Sequence, residues 1–150
     1  MIEWQWASFH ELDSDALCAV FAARQAVFVL EQQCLYADID GCDQRAYHLI
    51  GWNNEHGACQ LQAYLRCFAP GDKSEEAVLG RVLTVQSARG TGLGKQLMAE
   101  GIRRVEQYFP GKRIRVSAQQ YLERFYTEFG FVRVSDVYLE DAIPHIDMLR

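Results

Sequence analysis

The sequence predicts one domain of the mixed α+β class, spanning residues 1–150. Apolar and polar residues alternate in several short runs, which is the period of a half-buried strand. Other stretches place apolar residues at the three- and four-residue steps of a helix. Between the two patterns, Val78 to Gln86 is an apolar run that feeds three closely spaced glycines, Gly90, Gly92 and Gly94, and then a helical repeat.

Taken in order, Ile2, Trp4 and Trp6 share one parity and predict a first strand over residues 2–9. Asp13 or Ser14 can cap a helix through Leu17, Val20, Phe21, Arg24, Val27 and Phe28, ending near Glu31. Residues 32–45 read as an irregular acidic loop of the kind that lines sites. The stretches 46–52 and 58–68 predict two strands, and the turn signal Asn53 to Gly57 between them predicts a hairpin. Pro70 to Ser74 is a surface loop, 78–86 a central strand, and Gly92 to Phe109 an amphipathic helix carrying Leu93, Leu97, Gly101, Val105 and Tyr108. Pro110-Gly111 stops that helix. A strand over 112–118, a short helix over 119–129 ended by Gly130, and strands over 131–137 and 143–149 complete the pattern.

At 49% hydrophobic residues the chain can bury a substantial core. No apolar run is long enough to span a bilayer and Met1 to Trp6 lacks the basic-then-apolar order of a signal peptide, so a cytoplasmic address with no membrane partner is expected. Five cysteines, at 18, 34, 42, 59 and 67, form no C-x-x-C pair, and the histidines at 10, 48, 56 and 145 are scattered; no metal site is expected. The net charge of −5 argues against a general nucleic-acid binder. The charge is uneven, however. Residues 89–115 carry seven basic and two acidic side chains, whereas 31–43 and 136–147 each carry four acidic ones and no Lys or Arg. Such runs are ordinarily solvated faces; functionally, a basic half suits a polyanionic ligand and acidic segments suit a cationic amine.

The glycine-rich loop is shaped for an anion. Glycine permits sharp turns and close backbone approach, so successive N–H groups and a helix N-terminus can converge on a phosphate. Spacing excludes two familiar forms. A dinucleotide fingerprint starting at Gly90 needs glycine at 95, where Lys95 stands, and a P-loop ending at Gly94-Lys95 needs glycine at 89 and Ser or Thr at 96, where Arg89 and Gln96 stand. The pattern present is Arg/Gln-x-x-Gly-x-Gly/Ala, as Arg89-Gly90-Thr91-Gly92-Leu93-Gly94. By itself this loop is equally a tight strand-to-helix turn.

Context favours the ligand. The loop resembles the acyl-CoA loop of the GNAT N-acetyltransferases, and Phe125-Tyr126-Thr127-Glu128-Phe129-Gly130-Phe131 is similar to the Phe-Tyr-x-x-x-Gly-Phe segment of that family. Residues 24–32, 38–43, His48-Leu49 and Tyr138 to Met148 resemble the ElaA-like branch, so the resemblance spans nearly the whole chain. Where the family segment is preceded by Asn and Ala, this chain has Gln119 and Leu122, and where the branch often has Gly it has Ala142.

The resemblance implies a central, mostly antiparallel twisted sheet flanked by helices, with acetyl-CoA as acyl donor and an amine acceptor, cationic given the acidic segments. It implies that backbone groups of Leu83, Thr84 and Val85 hold the pantetheine, and that Arg89, Gly90, Thr91, Gly92, Leu93, Gly94 and Lys95 hold the diphosphate, with Gln119 and Phe125 on the cofactor side. Tyr126 is the expected acid for the departing thiolate; packing alone would be the ordinary role of such a tyrosine, and the motif around it reverses that preference. Glu31, His48, Glu140 and His145 are the candidates for the base, with His48 equally readable as a core histidine, and Cys34 is read as structural or pocket-lining because direct transfer needs no covalent intermediate. A homodimer is compatible with the resemblance. Two other classes stay open from sequence: an acyl-CoA-binding sensor or interaction module without catalysis, and a scaffold in which the glycines are only a turn.

Overall fold

The computed structural model describes residues 1–150. Its frame is one eight-stranded sheet in the order β1-β2-β3-β4-β5-β8-β6, with β7 also paired to β8. The strands are β1 (Ile2–Ser8), β2 (Tyr47–Asn53), β3 (Gln60–Phe68), β4 (Ala77–Thr84), β5 (Ile114–Gln119), β6 (Val132–Arg133), β7 (Tyr138–Glu140) and β8 (Ile143–Leu149). Every pairing is antiparallel except β4 with β5. That exception follows from the chain path, because α2 (Leu93–Tyr108) lies between the two strands as a crossover.

Each face of the sheet is sealed by a helix. Leu93, Leu97, Met98, Ile102 and Val105 of α2 join Leu49, Leu65, Leu79, Val116, Ile146 and Met148 of the sheet in one buried cluster. Gly101 sits in that interface because a Cβ there would come within 2.8 Å of the Leu65 side chain. On the other face, α1 (Ser14–Arg24) buries Ala16, Val20 and Ala23 against Ile50, Tyr64 and Leu83. Asp13 is the N-cap, accepting a 2.7 Å hydrogen bond from the Ala16 amide. Helical structure continues past α1 as a wider π-helical turn over Gln25–Glu31. The first helical stretch therefore ends at Glu31, as its apolar spacing predicts.

Several boundaries depart from expectation. The helix expected over 119–129 starts later: Gln119 is the last residue of β5, Gln120–Leu122 form a 3-10 turn, and α3 covers only Glu123–Thr127. The strand expected over 131–137 shrinks to Val132–Arg133. The acidic stretch at 138–140 supplies an unanticipated strand, β7, which turns back into β8 through Asp141 and Ala142 at φ 49° and 61°. That two-residue turn uses left-handed backbone at both positions, which suits a tight hairpin and disfavours alanine.

Candidate active site

The sheet itself makes the site. β4 and β5 pair only through Ala77, Val78 and Leu79 against Ile114, Arg115 and Val116, and beyond those residues the strands diverge. On its other edge β4 carries a bulge: Tyr64 pairs with Leu83 and Arg66 with Gly80, so Arg81 and Val82 stand opposite Leu65. Arg81 takes a left-handed φ of 50° there. Divergence opens a cavity of about 620 Å³ whose walls include Val82 on β4, Ala118 and Gln119 on β5, Tyr126 on α3, Cys34 and Tyr36 on the 32–45 loop, and Glu140, Asp141 and His145 from the β7-β8 hairpin.

Tyr126 is 5% exposed, lines the cavity, and makes no side-chain hydrogen bond within the chain. Its ring packs edge-on against Phe125 and Phe131. Burial, followed by the neighbouring Tyr121, pushes its phenol up to about 12, so it stays protonated at neutral pH. This is the state of a proton donor.

His145 pairs with Gln119 across β5-β8 and is 8% exposed. Its Nδ1 donates to the Ile143 carbonyl at 2.7 Å, its Nε2 lies 3.3 Å from a Glu140 carboxylate oxygen, and its ring stacks on Tyr138. Glu140 and Asp141 face the same space as Cys34, whose thiol is pushed up by burial and then by those two carboxylates. Tyr126, His145 and Glu140, three residues singled out in sequence, are thus brought to one cavity.

The glycine loop begins where β4 ends. Gly90 and Gly92 have φ of 78° and 81°, and Gly92 is the N-cap of α2. None of the amides from Gly90 to Lys95 donates to another group of the chain, and no atom lies within 4 Å of a Cβ built at Gly90, Gly92 or Gly94. A row of free N–H groups at a helix N-terminus, unshielded by side chains, fits a diphosphate. Thr91 Oγ1 donates inward to the Ala88 carbonyl, and Lys95 pairs with Glu128 at the surface.

Other expectations need correction. His48 does not line the cavity: it is 1% exposed, its Nε2 donates to the Asp43 carbonyl at 2.9 Å, and its Nδ1 accepts from the Tyr64 hydroxyl at 2.7 Å. Burial lowers its pKa, which makes it a neutral core histidine with both nitrogens engaged. Glu31 also stands away from the large cavity; it forms a two-point ion pair with Arg89, at 2.5 and 3.1 Å, and borders a smaller cavity of about 300 Å³ beside Val85 and Gln86. The backbone groups expected to be free at the end of β4 are partly taken: the Val85 amide donates to the Gln62 carbonyl, and the Thr84 carbonyl accepts from Arg89. Leu83 points its side chain into the α1-side core. Phe125 packs on the α2-side core instead of lining the cavity.

The acidic loop is not a free cation trap either. Arg24 is fully buried and bonds Asp38 and Asp43, Arg66 bonds Asp40 and Asp43, and Arg81 lies 2.8 Å from Asp38. Burial acts upward on Asp40, but hydrogen bonds from Arg66 and the Cys42 amide, with the charges of Arg66 and Arg81, hold its carboxyl far below the usual carboxylate range. This network shapes the cavity wall, and the sequence reading missed it. One signal was visible: Arg24 stands among apolar positions of its helix, and an arginine buried there requires counter-charges. Asp136 and Asp147 are likewise set apart from the cavity, Asp147 accepting from Arg115 and Tyr138.

No group of three or more His, Cys, Asp or Glu side chains is placed to hold a metal ion. No helix is long and apolar enough to cross a membrane. The five cysteines are unpaired.

A sheet whose central parallel pair splays open, with a free-amide loop at the end of one strand and a buried tyrosine beside the other, defines an acyl-CoA transferase fold, and the chain belongs to the GNAT acetyltransferase family: the Acetyltransferase (GNAT) domain model matches residues 23–150. Within that family it is similar to Protein ElaA of Escherichia coli K12, 42% identical over 152 residues that cover 100% of this chain and 97% of the relative. The UPF0039 protein sll0451 of Synechocystis is 40% identical over 99% of this chain and 94% of its own length. Among solved structures, an acyl-CoA N-acyltransferase from Pseudomonas aeruginosa superposes with a TM-score of 0.94 at 39% identity, covering 100% of this chain and 99% of that one. The crystal structure of Escherichia coli ElaA superposes with a TM-score of 0.92 at 41% identity, with the same coverage. Membership makes this an acyl-CoA-binding N-acyltransferase fold at the level of the class.

Proposed function

We propose that the protein is an acetyl-CoA-dependent N-acetyltransferase that moves the acetyl group directly to an amine acceptor. The observation that carries the reading is the Tyr126 hydroxyl, which has no partner in the chain and belongs to a residue lining the cavity, taken together with the row of free amides that follows β4. In this reading the amides of Gly90 to Lys95 hold the CoA diphosphate and the diverging strands admit the pantetheine arm. The amine attacks the thioester carbonyl, the carbon–sulfur bond breaks, and Tyr126 gives its proton to the departing sulfur.

His145 and Glu140 are the groups best positioned to take the proton that the amine loses, directly or through water, because both line the cavity and contact each other. Glu31 and His48 are not assigned that role. Asp141 lines the same wall and forms no ion pair within the chain, which favours an acceptor that arrives as an ammonium ion.

A thermal-shift titration with CoA and acetyl-CoA tests the donor, since a ligand that binds the folded state raises Tm. A thiol-release assay across polyamines, amino acids, aminoglycosides and lysine peptides tests the transfer. A shift together with amine-dependent thiol release is expected. Binding with no release from any amine would favour a non-catalytic acyl-CoA sensor, and no shift would overturn the donor assignment.

A further inference from the structure

Two consecutive residues, Glu31 at the end of the π-helical turn and Gln32 after it, contact the ends of two different strands of the sheet. Glu31 grips Arg89, which follows β4 and opens the glycine loop, through both carboxylate oxygens. Gln32 accepts a 3.2 Å hydrogen bond from Gln119, the last residue of β5. β4 and β5 have diverged by this point, so Glu31 and Gln32 bridge between the ends of strands that no longer pair. The segment bearing them is itself anchored: the Gln32 amide donates to the Val27 carbonyl and the Cys34 amide to the Phe28 carbonyl, while Phe28 is buried and borders the cavity.

Arg89 immediately precedes the free amides, and its guanidinium is already committed to a carboxylate and to the Thr84 carbonyl. Glu31 thereby presents to Arg89 the charge that a phosphate would present. Both side chains are partly exposed, at 38% and 42%, so the pair is screened and exchangeable.

We propose that Glu31 and Gln32 form a clasp across the cleft, in which Glu31 is an internal counter-ion that the diphosphate of CoA displaces from Arg89. The clasp rests on the proposed reading of the cleft as an acyl-CoA site. It assigns Glu31 to setting CoA affinity instead of proton transfer, and it makes the segment from 31 to 34, which begins at the end of the π-helical turn, responsive to the donor. Because Gln32 and Tyr126 line the same cavity, the segment bearing Glu31 links the donor loop to the space proposed for the acceptor.

Isothermal titration of CoA, ADP and pantetheine into the wild-type chain, Glu31→Gln and Gln32→Ala tests it. Removing the competing charge should tighten CoA and ADP binding of Glu31→Gln about threefold, the scale of an exposed ion pair, and leave pantetheine unchanged because it has no diphosphate. Gln32→Ala should tighten CoA by a smaller factor. Unchanged or weaker CoA binding by Glu31→Gln, with circular dichroism matching the wild type, overturns the clasp. If Glu31→Gln does not fold, Gln32→Ala decides by itself: unchanged or weaker CoA binding overturns the proposal. Failure of the wild type to bind CoA at all would instead overturn the cleft assignment.

Discussion

Tyr126 and Ala142 show how differently single residues matter here. The Tyr126 ring belongs to the core while its hydroxyl has no partner in the chain, so removing that oxygen costs little packing and deletes the proposed acid. Tyr126→Phe should lower kcat about 100-fold, the usual scale of a lost general acid, with the CoA dissociation constant nearly unchanged. Steady-state kinetics beside CoA titration would show the split, and an unaltered kcat would remove Tyr126 from the acid role. Ala142 is a matter of backbone. At φ 61° its Cβ is strained, and Ala142→Gly should raise stability by about 1 kcal/mol in urea unfolding, since glycine relieves a left-handed position. Asp141, the other residue of this turn, is also left-handed but borders the cavity, so the Ala142 position is the cleaner probe.

At the scale of elements, α2 and the β4-β5 pair decide where chemistry can happen. α2 projects its unshielded amides at the end of β4 and lies against β3 and β4 close enough that Gly101 has no room for a side chain. Leu65 and Leu79, which Gly101 meets, are buried in a packed cluster and cannot yield freely. Gly101→Ala should therefore destabilise the fold by about 1–3 kcal/mol, the range for overpacking a core, despite alanine's better helix propensity. Thermal unfolding measures this; a gain in Tm would mean that the α2 interface is looser than the 2.8 Å approach indicates. The strand runs, the hairpin and the capped first helix were legible because each follows from local periodicity and turn chemistry. α3 and β6 were legible only with bounds too long, and β7 was not legible, because these short elements owe their limits to pairing with β8 and packing under the sheet.

Across the whole molecule, the 32–45 loop is held by buried charge. Asp43 lies between Arg24 and Arg66, and its backbone carbonyl fixes His48. Asp43→Ala leaves both guanidinium groups short of a counter-charge and should cost about 3–5 kcal/mol, measured as a fall in the urea midpoint. The same network makes stability depend on pH. His48 has a folded pKa below its ordinary 6.5, so the unfolded chain binds the extra proton between those values. Its contribution is complete above pH 6.5 and is lost as pH falls through the folded value. Asp40 acts in the same direction in a lower window, present above its ordinary 3.8 and lost on further acidification. Urea midpoints should fall on acidification from about pH 7 to pH 5, and a flat profile there would show that His48 is not held neutral.

The order of elements, the glycine loop and the Phe125 to Phe131 segment are written in the chain, because strand alternation, helical spacing and glycine turns are local properties. So is the family to which they point. Only the tertiary structure decided which charges are spoken for. It paired Glu31 with Arg89, sealed His48 beneath Asp43, and committed Asp38, Asp40 and Asp43 to three arginines distant in sequence. A charge in sequence carries no sign of its partner. Burial and distance, which exist only once the sheet has folded, separate a carboxylate that meets substrate from one that holds the wall in place.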